Sequence, residues 1–135
     1  MAVSILTITH GNVGKELLAT AKTMLGKLPL KCETLSVSNT CNPDELLLEA
    51  QRICQKIDEG DGVLVLTDIF GSTPSNICNK LRDGTDIDVY VIAGLNLPML
   101  IRAMNYPKLK LNKLVDKALS GAHDGIIDCQ MNDHA

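Results

Sequence analysis

The sequence contains very little aromatic surface: its 135 residues include two tyrosines, one phenylalanine and no tryptophan. Proteins that bind single-stranded nucleic acid use aromatic rings as surfaces on which bases stack. The net charge of −3 also lacks the basic excess that is typical of a nucleic-acid-binding domain. Together these absences argue against nucleic acid as a partner.

Long hydrophobic runs and paired cysteine motifs are missing as well. No apolar stretch reaches the roughly 18 residues that indicate a membrane-spanning helix. Residues 1–9 lack the basic region and the long apolar core of a signal peptide. The five cysteines are odd in number and form no C-x-x-C pair, which disfavours a disulfide framework or a metal site. We therefore expect a cytoplasmic protein with reduced thiols, no membrane span, no metal and no cofactor.

What is present is the composition of an ordinary globular chain. Apolar residues make up 45% of the sequence and charged residues 21%, and the length is that of one domain. No repeat, linker or low-complexity tract divides the chain. We predict a single domain over residues 1–130, followed by a short C-terminal tail over residues 131–135.

Short apolar runs alternate with helical patterns along the chain. Strands are predicted at residues 3–9, 32–37, 62–67 and 88–93, with a short last strand at residues 125–129. Strand–helix alternation favours parallel units with right-handed crossovers. We therefore predict a doubly wound α/β fold with helices on both faces, strand order 2-1-3-4, and strands 1 and 3 as neighbours at the ligand-binding edge.

Two polar side chains follow the strands that meet at this edge. His10 comes directly after strand 1, and Asp68 comes directly after strand 3. A carboxylate that accepts a hydrogen bond from one imidazole nitrogen fixes the tautomer, so that the other nitrogen carries a lone pair. The sequence thus predicts a nucleophilic His10 oriented by Asp68.

The residues around this pair favour a phosphoryl group as the target of the nucleophile. Gly11 allows a close approach of the backbone, and Ser72 and Thr73 offer hydroxyl donors at the start of a predicted helix. Backbone N–H groups at a helix N-terminus bind anions. A Walker motif, G-x-x-x-x-G-K-[ST], is absent, which argues against a nucleoside triphosphate as the phosphoryl donor. We predict that Gly11, Ser72 and Thr73 bind the phosphoryl group.

These residues belong to longer segments that resemble a known family. The segments are ITHG at residues 8–11, GVLVLTDIFGSTPSN at residues 62–76 and VIAGLNLPML at residues 91–100. In this order and spacing the chain resembles the IIA component of the mannose-type (mannose/fructose/sorbose) family of the bacterial phosphoenolpyruvate:sugar phosphotransferase system. The resemblance covers most of residues 2–129. One departure is Ser72, because the family commonly has a second glycine there.

The resemblance implies a cytoplasmic phosphotransferase that takes part in sugar uptake. His10 matches the histidine that accepts a phosphoryl group from the phosphocarrier HPr and passes it to a IIB component. Asp68 matches the carboxylate that hydrogen-bonds this histidine, and Thr73 matches a Ser/Thr near the phosphoryl group. The family domain is a homodimer that exchanges an antiparallel C-terminal edge strand, and residues 125–129 match that strand.

Two other functions stay open at this point. The first is a regulatory binding module of an incomplete phosphotransferase system, in which a partner senses the phosphorylation state of His10. The second is the phosphoryl-donating subunit of a dihydroxyacetone kinase, whose first domain resembles the same family. Those subunits are usually longer than the 135 residues of this chain, which counts against the second function.

Overall fold

The computed structural model describes residues 1–132, which fold around a four-stranded parallel sheet. The strands are β1 (Ser4–His10), β2 (Cys32–Val37), β3 (Val63–Thr67) and β4 (Val89–Ala93). They lie in the order β2-β1-β3-β4, and every neighbouring pair is parallel. This confirms the predicted order 2-1-3-4 and the adjacency of the first and third strands.

Helices cover both faces of the sheet. They are α1 (Val13–Leu25), α2 (Pro43–Ile57), α3 (Thr73–Asp83), α4 (Leu97–Met104), α5 (Leu111–Asp124) and the short α6 (Cys129–Asn132). One core cluster joins the sheet to α1, α4 and α5, and a second joins the opposite face to α2 and α3. The doubly wound α/β class is therefore confirmed. Within the described residues, no helix is long and apolar enough to cross a membrane.

Strand β3 lies in the interior because its side chains are apolar on both faces. Leu64 and Leu66 belong to the core cluster under α1, α4 and α5, while Val63 and Val65 belong to the cluster under α2 and α3. All five residues of β3 are buried. A continuous apolar run is typical of a parallel strand that is covered on both sides. Strand β3 therefore anchors the middle of the sheet between β1 and β4.

Helix α2 begins where the sequence predicts. The Asn42 side chain accepts hydrogen bonds from the backbone N–H groups of Asp44 at 2.9 Å and Glu45 at 3.3 Å. Pro43 occupies the first turn, where its missing N–H costs nothing. The N-terminus of α2 is therefore already satisfied by its own cap, and acidic side chains follow it.

The C-terminal segment differs from the prediction. Helix α5 continues to Asp124, residues 126–128 have no regular structure, and Cys129–Asn132 form α6 instead of the end of a strand. A strand needs backbone hydrogen bonds to a neighbouring strand, and residues 125–129 pair with none of the four strands described. The predicted antiparallel edge strand is therefore not formed within the single chain.

The predicted C-terminal tail over residues 131–135 is only partly covered by the structure. Helix α6 runs across the predicted domain boundary at residue 130 and ends at Asn132. Residues 133–135 lie outside the described residues. The division into a domain over residues 1–130 and a tail therefore stays a prediction.

All five cysteines are free thiols. Two of them, Cys54 and Cys78, are fully buried between the sheet and helices α2 and α3. Burial raises the pKa of Cys54 to about 11 and that of Cys78 to about 12, since the apolar surroundings disfavour a thiolate. Both side chains are therefore neutral core residues at physiological pH.

Helix α1 packs against β1 at Gly14, without room for a side chain there. Gly14 is buried, and a methyl group added to it would overlap the side chain of Thr7. The N–H of Gly14 donates to Oγ1 of Thr9 at 2.9 Å. The close approach of α1 to the end of β1 therefore depends on this glycine.

We expect the substitution Gly14→Ala to lower the free energy of unfolding. Alanine is favoured over glycine inside a helix by about 1 kcal/mol. Forcing a methyl group into a packed contact costs about 1–3 kcal/mol, which outweighs that gain. Urea denaturation measures the difference, with Thr20→Ala at an exposed position of α1 as the control. A Gly14→Ala chain more stable than the wild type would show that the contact relaxes easily.

Candidate functional site

The site centres on a hydrogen bond between His10 and Asp68. His10 is the last residue of β1, and Asp68 is the first residue after β3. Nδ1 of His10 lies 2.9 Å from Oδ2 of Asp68, and the backbone N–H of His10 donates to the same oxygen at 3.2 Å. The other carboxylate oxygen accepts the backbone N–H of Ile69 at 3.1 Å. The structure therefore brings together the two side chains that the sequence singles out.

The two side chains differ in their access to solvent. The His10 side chain is 45% exposed, whereas the Asp68 side chain is 12% exposed. An ionised carboxylate only accepts hydrogen bonds, so Nδ1 is the donor in this contact, and in the neutral ring Nε2 carries the lone pair. The arrangement leaves an accessible ring with a nucleophilic nitrogen that does not face its own carboxylate.

The pKa of Asp68 lies below the ordinary value of 3.8. Burial by itself raises this pKa, but the hydrogen bonds from the ring and the backbone of His10 lower it more, and the charge of the imidazolium acts in the same direction. The carboxylate is therefore ionised at physiological pH. It can stabilise a positive charge that develops on the ring.

A cleft of about 190 Å³ opens beside His10 at the carboxyl edge of the sheet. Thr73, the first residue of α3, lines it together with His10. Its remaining walls come from the end of β2 and the segment that leads into α2, namely Val37, Ser38, Asn39, Cys41 and Pro43. Of the three predicted phosphoryl-binding residues, Thr73 is the one that lines this cleft.

The two other predicted phosphoryl-binding residues have hydrogen bonds elsewhere. Gly11 turns the chain sharply at the end of β1 with a φ of 47°, and its N–H donates to the carbonyl oxygen of Val37 at 3.0 Å. The Ser72 hydroxyl donates to the carbonyl oxygen of Ile69 at 2.7 Å. Gly11 therefore shapes the turn after His10, and Ser72 shapes the loop after Asp68.

The use of the Ser72 hydroxyl within the loop leaves α3 without a side-chain cap. Ser72 occupies the N-cap position of α3, but its side chain accepts no hydrogen bond from the first turn. This start differs from that of α2, where Asn42 accepts two backbone N–H groups. An uncapped helix N-terminus presents N–H donors and a partial positive charge. Of the N-termini of α2 and α3, that of α3 is thus the better position for binding an anion.

The wall of the cleft that follows β2 was missed in the sequence. Ser38, Asn39 and Cys41 lie there, and none of them belongs to a recognisable motif. The predicted strand order did contain a signal, because it placed strand 2 beside strand 1 and so put the residues after both strands at one edge. Thr9 was also missed, although its hydroxyl accepts the N–H of Gly14 and positions the start of α1.

The site contains one histidine and one carboxylate, and this set is too small for a metal centre. Among the described residues, no group of three or more histidine, cysteine, aspartate or glutamate side chains is placed to hold a metal ion. The donor set at His10 and Asp68 instead suits covalent chemistry at a ring nitrogen, in which the carboxylate orients and stabilises the ring.

The fold and the site together define a class of α/β proteins that carry an accessible histidine, oriented by a carboxylate, at the carboxyl edge of a parallel sheet. Within that class, the chain belongs to the family described as "PTS system fructose IIA component", which matches residues 4–119. PTS denotes the phosphotransferase system, so the match confirms the resemblance found in the sequence.

Known proteins that resemble the chain agree with this family. The "PTS system mannose-specific EIIAB component" of Escherichia coli K12 is 31% identical over 105 residues, which cover 77% of this chain and 32% of that protein. The chain therefore spans about a third of that relative. The "Transcriptional regulatory protein LevR" of Bacillus subtilis is 28% identical over 116 residues, covering 83% of this chain and 12% of that protein.

A solved structure shows the same fold over nearly the full length of both chains. The crystal structure of phosphotransferase system component EIIA from Streptococcus agalactiae superposes with a TM-score of 0.82 at 27% sequence identity. The alignment covers 96% of this chain and 98% of that one. The fold of the chain is therefore shared with that EIIA component.

We expect Asp68→Asn to reduce the dependence of stability on acid pH. A lowered carboxyl pKa adds stability that is complete above the ordinary value of 3.8 and is lost as the pH falls through the folded-state pKa. Asparagine does not titrate, so the variant is less stable at pH 7 and loses less stability on acidification. Urea denaturation from pH 7 to pH 3 measures both effects, with the exposed Asp116→Asn as the control. Parallel pH curves for wild type and Asp68→Asn would contradict the expectation.

Proposed function

We propose that this chain is a phosphohistidine carrier of a bacterial sugar phosphotransferase system. His10 accepts a phosphoryl group from phosphorylated HPr and passes it to a IIB component. The observation that supports this most directly is the 2.9 Å contact between Nδ1 of His10 and Asp68, which leaves Nε2 as the reactive nitrogen. Membership of the IIA family supports the same reading.

In this proposal the transfer step uses the Nε2 atom that the contact with Asp68 leaves accessible. The Nε2 lone pair of His10 attacks the phosphorus atom, a new N–P bond forms, and the N–P bond to the donor histidine breaks. The electron pair of the broken bond stays on the donor imidazole. The His10 ring, protonated at Nδ1 and phosphorylated at Nε2, then carries a positive charge that the Asp68 carboxylate stabilises. The reverse chemistry delivers the phosphoryl group to the IIB component.

The phosphoryl oxygens need donors, and the start of α3 supplies them in this proposal. Thr73 lines the cleft, and the first turn of α3, which has no side-chain cap, contains the backbone N–H groups of Thr73 and Ser75, whereas Pro74 has none. Ser72 and Gly11 support the site by holding the two loops in place through their bonds to Ile69 and Val37. The partial positive charge of the helix N-terminus offsets the phosphoryl charge without a metal ion or other cofactor.

A regulatory role is the second candidate function. The similarity to the transcriptional regulatory protein LevR favours it, because a related sequence occurs within a much longer regulatory protein. His10 would accept the phosphoryl group in the same way, and a partner protein would recognise the phosphorylated surface. Rapid loss of the label to an added IIB component supports the carrier role, whereas a stable label points to regulation.

We expect one phosphoryl group to be added when the chain is incubated with phosphoenolpyruvate, enzyme I and HPr. Intact mass and ³¹P NMR measure it, and the bond is acid-labile and base-stable, as expected of an N–P bond. His10→Ala accepts none because the nucleophile is gone, while the exposed-histidine control His123→Ala is labelled like the wild type. Full labelling of His10→Ala would show that another residue is the acceptor.

The same assay tests the role of Asp68. An asparagine amide can donate to Nδ1 and so favour the tautomer that carries its proton on Nε2. We therefore expect Asp68→Asn to fold but to accept the phosphoryl group roughly 10²-fold or more slowly. An unchanged rate would mean that Asp68 has a structural role alone.

The proposed carrier acts in the cytoplasm as a homodimer in which the C-terminal segment pairs with the partner's sheet. Ile126 and Ile127 are exposed in the single chain, which suits a segment that is buried by a second copy. We expect a chain shortened after Gly125 to dimerise more weakly in sedimentation velocity. A chain shortened after Asn132 retains the segment and serves as the control. Equal dimerisation of the two shortened chains would rule out the exchange.

A further inference from the structure

The loop that follows Asp68 exposes two large apolar side chains. Phe70, the chain's one phenylalanine, is 80% exposed, and Ile69 is 60% exposed. An aromatic ring and a branched aliphatic side chain together make a small apolar patch next to the carboxylate that orients His10.

Hydrogen bonds within the loop hold these two side chains outward. Asp68 accepts the N–H of Ile69 at 3.1 Å, and the Ser72 hydroxyl donates to the carbonyl oxygen of Ile69 at 2.7 Å. The N–H of Gly71, which has a φ of 82°, donates to Oγ of Ser75 at 3.3 Å. Polar side chains thus fix the backbone in a conformation that exposes apolar ones, at a cost in hydrophobic burial.

The position of the patch relative to His10 indicates what covers it. A protein donor must bring its phosphorylated residue to Nε2 of His10, and the surface around that residue then covers the neighbouring loops. The cleft beside His10 is also lined by the polar residues Ser38 and Asn39. A patch of aromatic and aliphatic side chains beside polar neighbours is typical of a protein–protein interface.

We propose that Ile69 and Phe70 form the docking contact for the protein that delivers the phosphoryl group to His10. The surface that covers Ile69 and Phe70 is an apolar patch beside the phosphohistidine of the donor protein, HPr. This inference rests on the proposed function and adds the residues that recognise the donor. In interfaces of this kind, a few aromatic anchors supply most of the binding energy.

The inference is tested by comparing a protein donor with a small one. Phosphoramidate carries the same N–P bond as phosphohistidine but no protein surface, so its reaction with His10 reports on the site alone. The quantity of interest is the ratio of kcat/KM with phosphorylated HPr to the rate constant with phosphoramidate. This ratio cancels any effect of a substitution on the reactivity of His10 itself.

We expect Phe70→Ser to lower this ratio about tenfold or more, through a higher KM for phosphorylated HPr. Phe70→Leu keeps an apolar side chain and should recover a large part of the loss. The matched control is Met24→Ser: Met24 is 60% exposed, like Ile69, but lies at the far end of α1, about 16 Å along the helix from its start. The ratio should not change in this control.

Each other outcome overturns the inference in a recognisable way. If Phe70→Ser leaves the ratio and both rates unchanged, Phe70 does not take part in docking. If the rates with phosphorylated HPr and with phosphoramidate fall equally, Phe70 instead supports the reactive position of His10. If Phe70→Ser dissociates the dimer in sedimentation velocity, Ile69 and Phe70 form a contact between two copies of the chain and not the docking contact for the donor. If the wild-type chain accepts nothing from phosphorylated HPr, the proposed carrier function is wrong and the docking contact fails with it.

Discussion

The parallel pairing of β1 with β3 is the interaction on which the site depends. His10 and Asp68 are 58 positions apart along the chain, yet their side chains lie 2.9 Å from each other because the two strands end at the same edge. The pairing is held in place by the burial of β3, whose alternating side chains fill both core clusters. The geometry of the exposed site therefore rests on apolar packing beneath it.

Polar side chains at the carboxyl edge do two different kinds of work. Asn42 satisfies the start of α2, so that this helix end offers little to a ligand. Ser72 occupies the N-cap position of α3, but its hydroxyl donates to the carbonyl oxygen of Ile69 in the loop after Asp68 and does not cap the helix. The Ser72 hydroxyl thus shapes the loop, and α3, whose first residue Thr73 lines the cleft beside His10, has no side-chain cap. The same hydrogen bond contributes to the exposure of Ile69 and Phe70.

Much of the fold could be predicted because its signals are local and strong. The apolar run at residues 62–67 and the Asn-Pro start of α2 each specify their element without help from the rest of the chain. The last strand was predicted from a short apolar segment around Ile126, but a strand depends on a neighbour that the single chain does not provide. The apolar pattern around Ile126 indicates a preference for a strand, but the strand forms only when a neighbouring strand pairs with it.

The sequence by itself determined the alternation of strands and helices, the positions of His10 and Asp68 at strand ends, and the family to which the chain belongs, because hydrophobic periodicity and motif spacing are properties of the chain alone. Only the tertiary structure decided that Gly11 bonds to Val37, that Ser72 leaves α3 uncapped, and that Phe70 faces solvent. The reason is physical. Hydrogen bonds require donor and acceptor to meet within a few tenths of an ångström and at a narrow range of angles, and that placement depends on the packing of every neighbouring element.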